Sequence, residues 1–426
     1  MALLIAGAAG IAACSALSCG ARPQQALWDY SIPDIQTTST VSEKVVVDLY
    51  LDSTASMEGF AVAPGAELPG FVSALEATLA EGWRLSTARY FRFGTKVIEW
   101  PRERFVRGMS QRGFYREAGL SETTNIDQLV ASADASHLSL VLTDLFQTDA
   151  DVNAVVAAIK NGFIAKGVPL ALLPMPAEFD GQVFDARVPT FRYASKTADP
   201  LTKRPFYLIV FGPIHQIERL VAVLSAKRQV DATNVLLVTR EIVNGQAVSI
   251  PDLSRSKAVV KRIPKVPQPH EFSLDVRGDG PAVIEVAADL RVRSGIAPLN
   301  VGRLEADVVR RRVPRSGAAG PEEPTGDVAL AGPIRREGAS LRIPLRIDFK
   351  ERSGDGVAYR VDVRTPSIGA FNLPAWVDAW STDDPRPGHD PNKTLNLRPF
   401  VEGLLQALQS TTRLPVVRFF LFVRKP

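Results

Sequence analysis

The chain has 426 residues, with 50 Lys and Arg against 46 Asp and Glu and 46% hydrophobic residues. That length predicts two or three domains and a substantial core. A net charge of +4 is too small over such a length to mark a nucleic-acid partner. The basic runs Val309–Arg315 and Lys257–Lys265 also lack the interleaved aromatics of a single-strand groove.

The first 21 residues, MALLIAGAAGIAACSALSCGA, carry no charge and hold both cysteines of the chain. The rest of the chain therefore has no intrachain disulfide and no thiolate metal site. Ile11-Ala12-Ala13-Cys14 resembles the end of a bacterial lipoprotein signal, where an aliphatic and two small residues precede the Cys that is lipidated. Ala16-Leu17-Ser18-Cys19 matches less well and allows a longer apolar core. Residues 1–19 are expected to be a signal peptide or lipoprotein leader. It would attach the chain through Cys14 or Cys19 to a bacterial cell-envelope membrane, facing out of the cytoplasm, and an anchor with several acyl chains holds stably. No Lys or Arg precedes the apolar run, as a signal peptide normally requires, so an uncleaved anchor is the alternative. Residues 20–41 are polar, Pro-bearing and aperiodic, and read as a tether.

Val45–Leu51, VVVDLYL, has the composition of a strand buried on both faces of a parallel sheet. It ends at Asp52, followed by hydroxyls at Thr54 and Ser56, and Gly59 then permits a sharp turn. Phe71, Leu75 and Leu79 fall on one face of a helix. Arg84–Phe93 and Lys96–Trp100 predict a hairpin turning at Gly94-Thr95. Pro101–Thr123 is a long connection rich in Arg and aromatics, among them Arg107, Arg112, Phe114 and Tyr115, and connections of this length are usually functional or disordered.

Asn125–Ala135 predicts a short helix, and His137–Phe146 a second buried strand that delivers Asp144. Thr148-Asp149-Ala150-Asp151 opens a helix that stops at Gly167. Val168–Met175 and Arg204–Phe211 are further strands, and Gly212-Pro213 leads into a helix over Ile214–Ala226. This alternation predicts an α/β domain over residues 42–233, a doubly wound, mostly parallel sheet. Beyond it the period falls to two, as in Phe272, Leu274 and Val276, in Leu341 to Phe349, and in Val357 to Val363. Residues 234–426 are therefore expected to form a mainly antiparallel β-sandwich domain. Arg311–Glu337 is a mobile excursion inside it, and a helix near Pro399–Ser410 and a strand at Pro415–Val423 close the chain.

The stretch Asp52-Ser53-Thr54-Ala55-Ser56-Met57 with Gly59 resembles the first metal-binding loop of von Willebrand factor A (vWA) domains, D-x-T-x-S in place of their usual D-x-S-x-S. The family's two other pieces follow in order, Thr124 in ETTNIDQLV and Asp144 at the end of LSLVLTD. The resemblance covers about residues 42–230. It implies a Rossmann-like wound sheet carrying a metal-ion-dependent adhesion site (MIDAS). In that site Thr54 and Ser56 bind the cation directly, Asp52 and Asp144 hold it mainly through waters, and Thr124 joins when a ligand is bound. Hard oxygen donors of this kind suit Mg2+ or Mn2+. The family often has Gly before the last Thr; here Thr123 stands there and is the alternative ligand.

With only two carboxylates the cation keeps positive charge and an open position, which an Asp or Glu of a protein partner can fill. The expected function is thus a metal-dependent protein-binding or adhesion module, with Arg107, Arg112, Phe114 and Tyr115 as further partner contacts. The alternative is an envelope scaffold with a structural metal loop, its partners bound by the β-rich domain. No enzyme is expected. His137, His215, His270 and His389 stand in separate contexts, and no H-E-x-x-H, G-x-S-x-G or phosphate-binding loop occurs. The acidic loop Ser381–Asp390 reads as a solvated turn.

Overall fold

The computed structural model describes residues 28, 44–63, 65–83, 85–145, 149–185, 188–196, 199–251, 261–262, 270–276, 280–314, 319–351, 355–384 and 390–425. The leader with Cys14 and Cys19, the tether apart from Trp28, Phe146, Thr148 and His389 lie outside the described residues.

The strands of the first half are β1 (Val45–Asp52), β2 (Leu85–Phe93), β3 (Val97–Trp100), β4 (Leu138–Thr143), β5 (Leu170–Ala177), β6 (Asp180–Asp185), β7 (Val188–Ala194), β8 (Arg204–Phe211) and β9 (Leu236–Val238). Seven of them form one sheet in the order β3-β2-β1-β4-β8-β5-β9, and β6 pairs with β7 as a separate hairpin. β1 is parallel to β2 and to β4, and β3 returns antiparallel on β2 through the Gly94-Thr95 turn. The far side departs from the expected parallel order. β8 lies between β4 and β5, antiparallel to both, and β9 is antiparallel to β5. A crossover helix makes parallel neighbours only when the returning strand takes the adjacent place. Here β5 returns one place further out. The chain leaves the β6–β7 hairpin and runs back along β5 as β8, without a crossover helix.

Helices cover both faces of this sheet. They are α1 (Glu58–Ala61), α2 (Leu68–Gly82), α3 (Arg102–Gly108), α4 (Ile126–Ser132), α5 (Asp149–Gly162) and α6 (Ile214–Ala226). Alternate residues of β1 serve two cores. Val47, Leu49 and Leu51 pack with residues of α2, α3 and α6, whereas Tyr50 packs with residues of α4 and α5. The connection 101–123 is not an open excursion. It folds into α3 and a 3-10 turn at Arg112–Tyr115, and Phe105, Met109, Phe114 and Tyr115 are buried.

The second half adds β10 (Val243–Ser249), β11 (Lys261–Arg262), β12 (Glu271–Asp275), β13 (Ala282–Val292), β14 (Glu305–Val313), β15 (Glu323–Pro324), β16 (Val328–Leu330), β17 (Arg335–Glu337), β18 (Ser340–Ile347), β19 (Gly356–Arg364), β20 (Ser381–Thr382), β21 (Thr394–Leu395) and β22 (Pro415–Arg424), with α7 (Ala375–Trp380) and α8 (Leu397–Thr411). One sheet runs β10-β13-β18-β16 with β17 also on β18, and the other β11-β12-β22-β19-β14-β15. Pairing in both is antiparallel except between β12 and β22, which are parallel. Ile284, Val286 and Leu345 of the first sheet share a core with Val357, Val361 and Leu421 of the second. The expected excursion 311–337 instead supplies β15, β16 and β17 to the sheet edges. The two halves are stitched together. α8 packs on α5, with Gly403 against Val156, and Tyr207 of β8 meets Thr394 Oγ1 through its hydroxyl at 2.9 Å.

Candidate metal centre

β1 carries Asp52 to the carboxyl end of the sheet, between β2 and β4, where its side chain is fully buried. The chain then turns on its own side chains. Ser53 donates from both N–H and Oγ to the Phe93 carbonyl, at 2.8 and 3.0 Å. Thr54 swings back and donates from N–H and Oγ1 to Asp52 Oδ1, at 3.0 and 2.6 Å, the local capture that favours Asp at a turn. Thr54 Oγ1 lies 3.2 Å from Ser56 Oγ and 3.1 Å from Thr124 Oγ1. Thr124 Oγ1 and Thr143 Oγ1 both donate to Asp52 Oδ2, at 3.3 and 2.8 Å. Asp144 follows Thr143 directly, and it too is buried.

Two glycines let the loops converge. A Cβ on Gly94 would stand 2.1 Å from the Leu120 carbonyl. Without it, the loop before α4 crosses the β2–β3 turn, held by Thr95 N–H on Leu120 O and by Asn125 N–H on Gly94 O. That crossing aims Thr124 at Asp52. Gly59 lies under the Phe179 ring, where a Cβ would be 2.4 Å from the ring edge, and Gly181 of β6 packs on its Cα. The β6–β7 hairpin thereby rests on the Thr54–Ala61 turn, and Phe184 helps to wall a cleft of about 690 Å³ over Thr54, Ser56 and Thr124. Gly59→Val should force the hairpin off this turn at a cost of about 1–3 kcal/mol. A thermal melt within a degree of the native one would contradict that packing.

The electrostatics are unbalanced. Burial, reinforced by the charge of Asp144, pushes the Asp52 carboxyl up to about 7, against the opposing hydrogen bonds from Thr54 and Thr143. Arg204, at the start of β8, is itself buried and donates to the Pro391 carbonyl at 2.6 Å. Burial lowers its pKa, and the charge of Asp144 acts in the opposite sense. Leu145, the next residue after Asp144, takes φ +54°, a left-handed conformation uncommon for a residue with a Cβ.

Asp52, Thr54, Ser56, Thr124 and Asp144 are thus brought to one place. Thr123 is the less engaged of the two neighbouring threonines, its Oγ1 turned toward Thr95 Oγ1 at 3.3 Å. Arg107 and Arg112 are exposed. Phe114 and Tyr115 are not available to a partner: Phe114 packs edge-on against Trp100 and Phe105, and the Tyr115 hydroxyl donates to Met109 O at 2.7 Å. Thr143 and Arg204 went unread in the sequence. Thr143 could have been suspected as the neighbour of a strand-end Asp, whereas nothing local connects Arg204 with Asp144.

Among the described residues no group of three or more His, Cys, Asp or Glu side chains is arranged to hold a metal. The set here differs in kind, with two carboxylates and three hydroxyls. It fits a hard divalent cation on two counts. Its donors are all oxygen, and among the described residues no cationic side chain pairs with the Asp52 carboxylate, which burial pushes toward its neutral form.

No protein-family model matches the chain, and no curated protein matches its sequence.

Proposed function

We propose that residues 42–233 form a vWA-type domain whose Asp52, Thr54, Ser56, Thr124 and Asp144 hold Mg2+ or Mn2+. The bound cation would present an open coordination position to an Asp or Glu of a protein partner. One observation carries the reading: hydroxyls of two separate loops meet the same buried carboxylate, Thr54 and Thr124 both on Asp52. The place is the carboxyl end of parallel strands, where α/β sheets collect ligands. In this reading Thr143 fixes Asp52 Oδ2 and Thr54 fixes Oδ1, so the carboxylate is oriented before any partner arrives. Residues 234–426 act as a β-sandwich that braces the domain. Residues 1–19 anchor the chain to a bacterial envelope through Cys14 or Cys19. No helix among the described residues is long and apolar enough to cross a membrane.

The test uses the full chain and a fluorescent deca-glutamate peptide, with a Gly-Ser decapeptide as control. Binding should gain a component in millimolar Mg2+ that vanishes in EDTA and in Thr124→Ala. Equal binding in Mg2+ and EDTA would reject the metal bridge and turn attention to the β-rich half.

A further inference from the structure

We propose that a cleft beside the metal loop is a second anion site, one that reads carboxylates of an acidic partner segment. The partner's acidity rests on the metal-bridge reading above, while the cleft itself stands on its own residues. It encloses about 280 Å³ and is lined by Arg92, Trp100, Arg104, Arg107, Phe114 and Glu117, among others.

Arg92 is the unusual member. It sits within β2 with its side chain fully buried, its guanidinium 4.3 Å from the Trp100 ring centroid and 4.1 Å from that of Phe114. It donates to Glu117 Oε2 at 2.5 Å and to the Phe114 carbonyl, and its Nε has no hydrogen-bond partner among the described residues. A buried guanidinium is costly unless well compensated, yet its one carboxylate, on Glu117, is half exposed.

Arg104 and Arg107 stand on α3 above it, three residues apart and so on one face. Both are exposed, and neither makes an ion pair or hydrogen bond among the described residues. Their neighbours differ. Arg102 is taken by Glu76, and Arg112 and Arg116 by Glu58. The cleft therefore presents the guanidinium groups of Arg104 and Arg107 above the buried Arg92, whose charge only the half-exposed Glu117 offsets within the lining. Guanidinium forks match carboxylates in geometry.

Its position joins it to the metal centre. Glu58 belongs to α1, directly after the Thr54–Met57 turn, and Arg116 holds it with two hydrogen bonds of 2.5 and 2.9 Å. A partner segment with one acid on the metal can run across this clamp and place further acids on Arg107 and Arg104.

The experiment uses the full chain and deca-glutamate in EDTA, which silences the metal, at about 20 mM salt, where exposed charges are weakly screened. The native chain should bind, and Arg104→Glu/Arg107→Glu should weaken binding by about tenfold or more while keeping any Mg2+-dependent gain in melting temperature. Reversing Arg346 and Lys350, exposed charges of the β-rich half, should change affinity by less than about twofold. No binding in EDTA, equal binding by the Arg104/Arg107 variant, or equal loss from the Arg346/Lys350 variant would overturn the proposal. The two readings separate cleanly. If the Mg2+-dependent component is missing but EDTA-resistant binding still needs Arg104 and Arg107, the metal bridge fails and the cleft stands.

Discussion

Asp52→Asn is expected to melt at a higher temperature than the native chain at pH 8 in EDTA, and to lose the gain that Mg2+ confers. The Asp52 carboxyl moves from 3.8 to about 7 in the folded chain, so the folded state holds its proton more tightly than the unfolded state does. The stabilisation from that proton is complete below the unfolded value and is lost as pH rises through about 7. At pH 8 the ionised, buried Asp52 costs at most about 4 kcal/mol, from roughly three pKa units at 1.36 kcal/mol each. Asn removes the charge and keeps an acceptor for the Thr54 N–H. Its amide can donate to Thr143 Oγ1, which otherwise donates to Asp52. Part of the cost should therefore be recovered.

Mg2+ acts on the same imbalance. At about 100 times its dissociation constant a specific ion adds roughly 2.7 kcal/mol, and ligands must be ionised to bind it. The native chain should thus gain more from Mg2+ at pH 8 than at pH 6. Calorimetric melts of both proteins at both pH values, with Mg2+ and with EDTA, check every part. A variant that melts below the native chain at pH 8 in EDTA would show that Asp52 is not held at a cost.

How much of this was legible in the sequence depends on what each residue's neighbours are. VVVDLYLD reads as the central strand because every position but the half-buried Val46 is buried, and Thr124 and Asp144 follow it in the order expected for one site. Strand direction was not legible. RPFYLIVF is buried at all eight positions of β8, and a continuous apolar run is the same whether it lies parallel or antiparallel to its neighbours. The β6–β7 hairpin could have been found, because Phe191 and Tyr193 alternate with Thr190 and Arg192. Phe114 and Tyr115 looked like surface aromatics because arginines surround them, but Arg92 reaches beneath Phe114 from a strand 22 residues away. Arg204 and Asp144 interact only because β8 inserts beside β4, a fact of topology that no local pattern records.

A second acid on the same strand should behave in the opposite way. Asp48 precedes Asp52 by four residues, so both side chains leave the same face of β1, and both are fully buried. Asp48, however, is compensated within the protein. Arg89 grips it with two bonds of 2.7 Å, and His137 Nδ1 lies 2.8 Å from Oδ2. Asp48→Ala should lower the melting temperature by several degrees at any pH from 6 to 8, a loss of about 2–4 kcal/mol. The loss sits at the lower end for a buried pair because the Arg89 side chain is 35% exposed and can turn to water. Adding Arg89→Ala should cost less than a second independent loss, since the two residues share one interaction. The Mg2+ gain should survive, because Asp48 is roughly 13 Å along the strand from Asp52 at about 3.3 Å per residue. Strand β1 thus carries one carboxylate that the fold has neutralised and one that it has left short of a cation. If Asp48→Ala and Asp52→Asn shift the EDTA melt in the same direction, that distinction is wrong, and with it the physical case for a cation at Asp52.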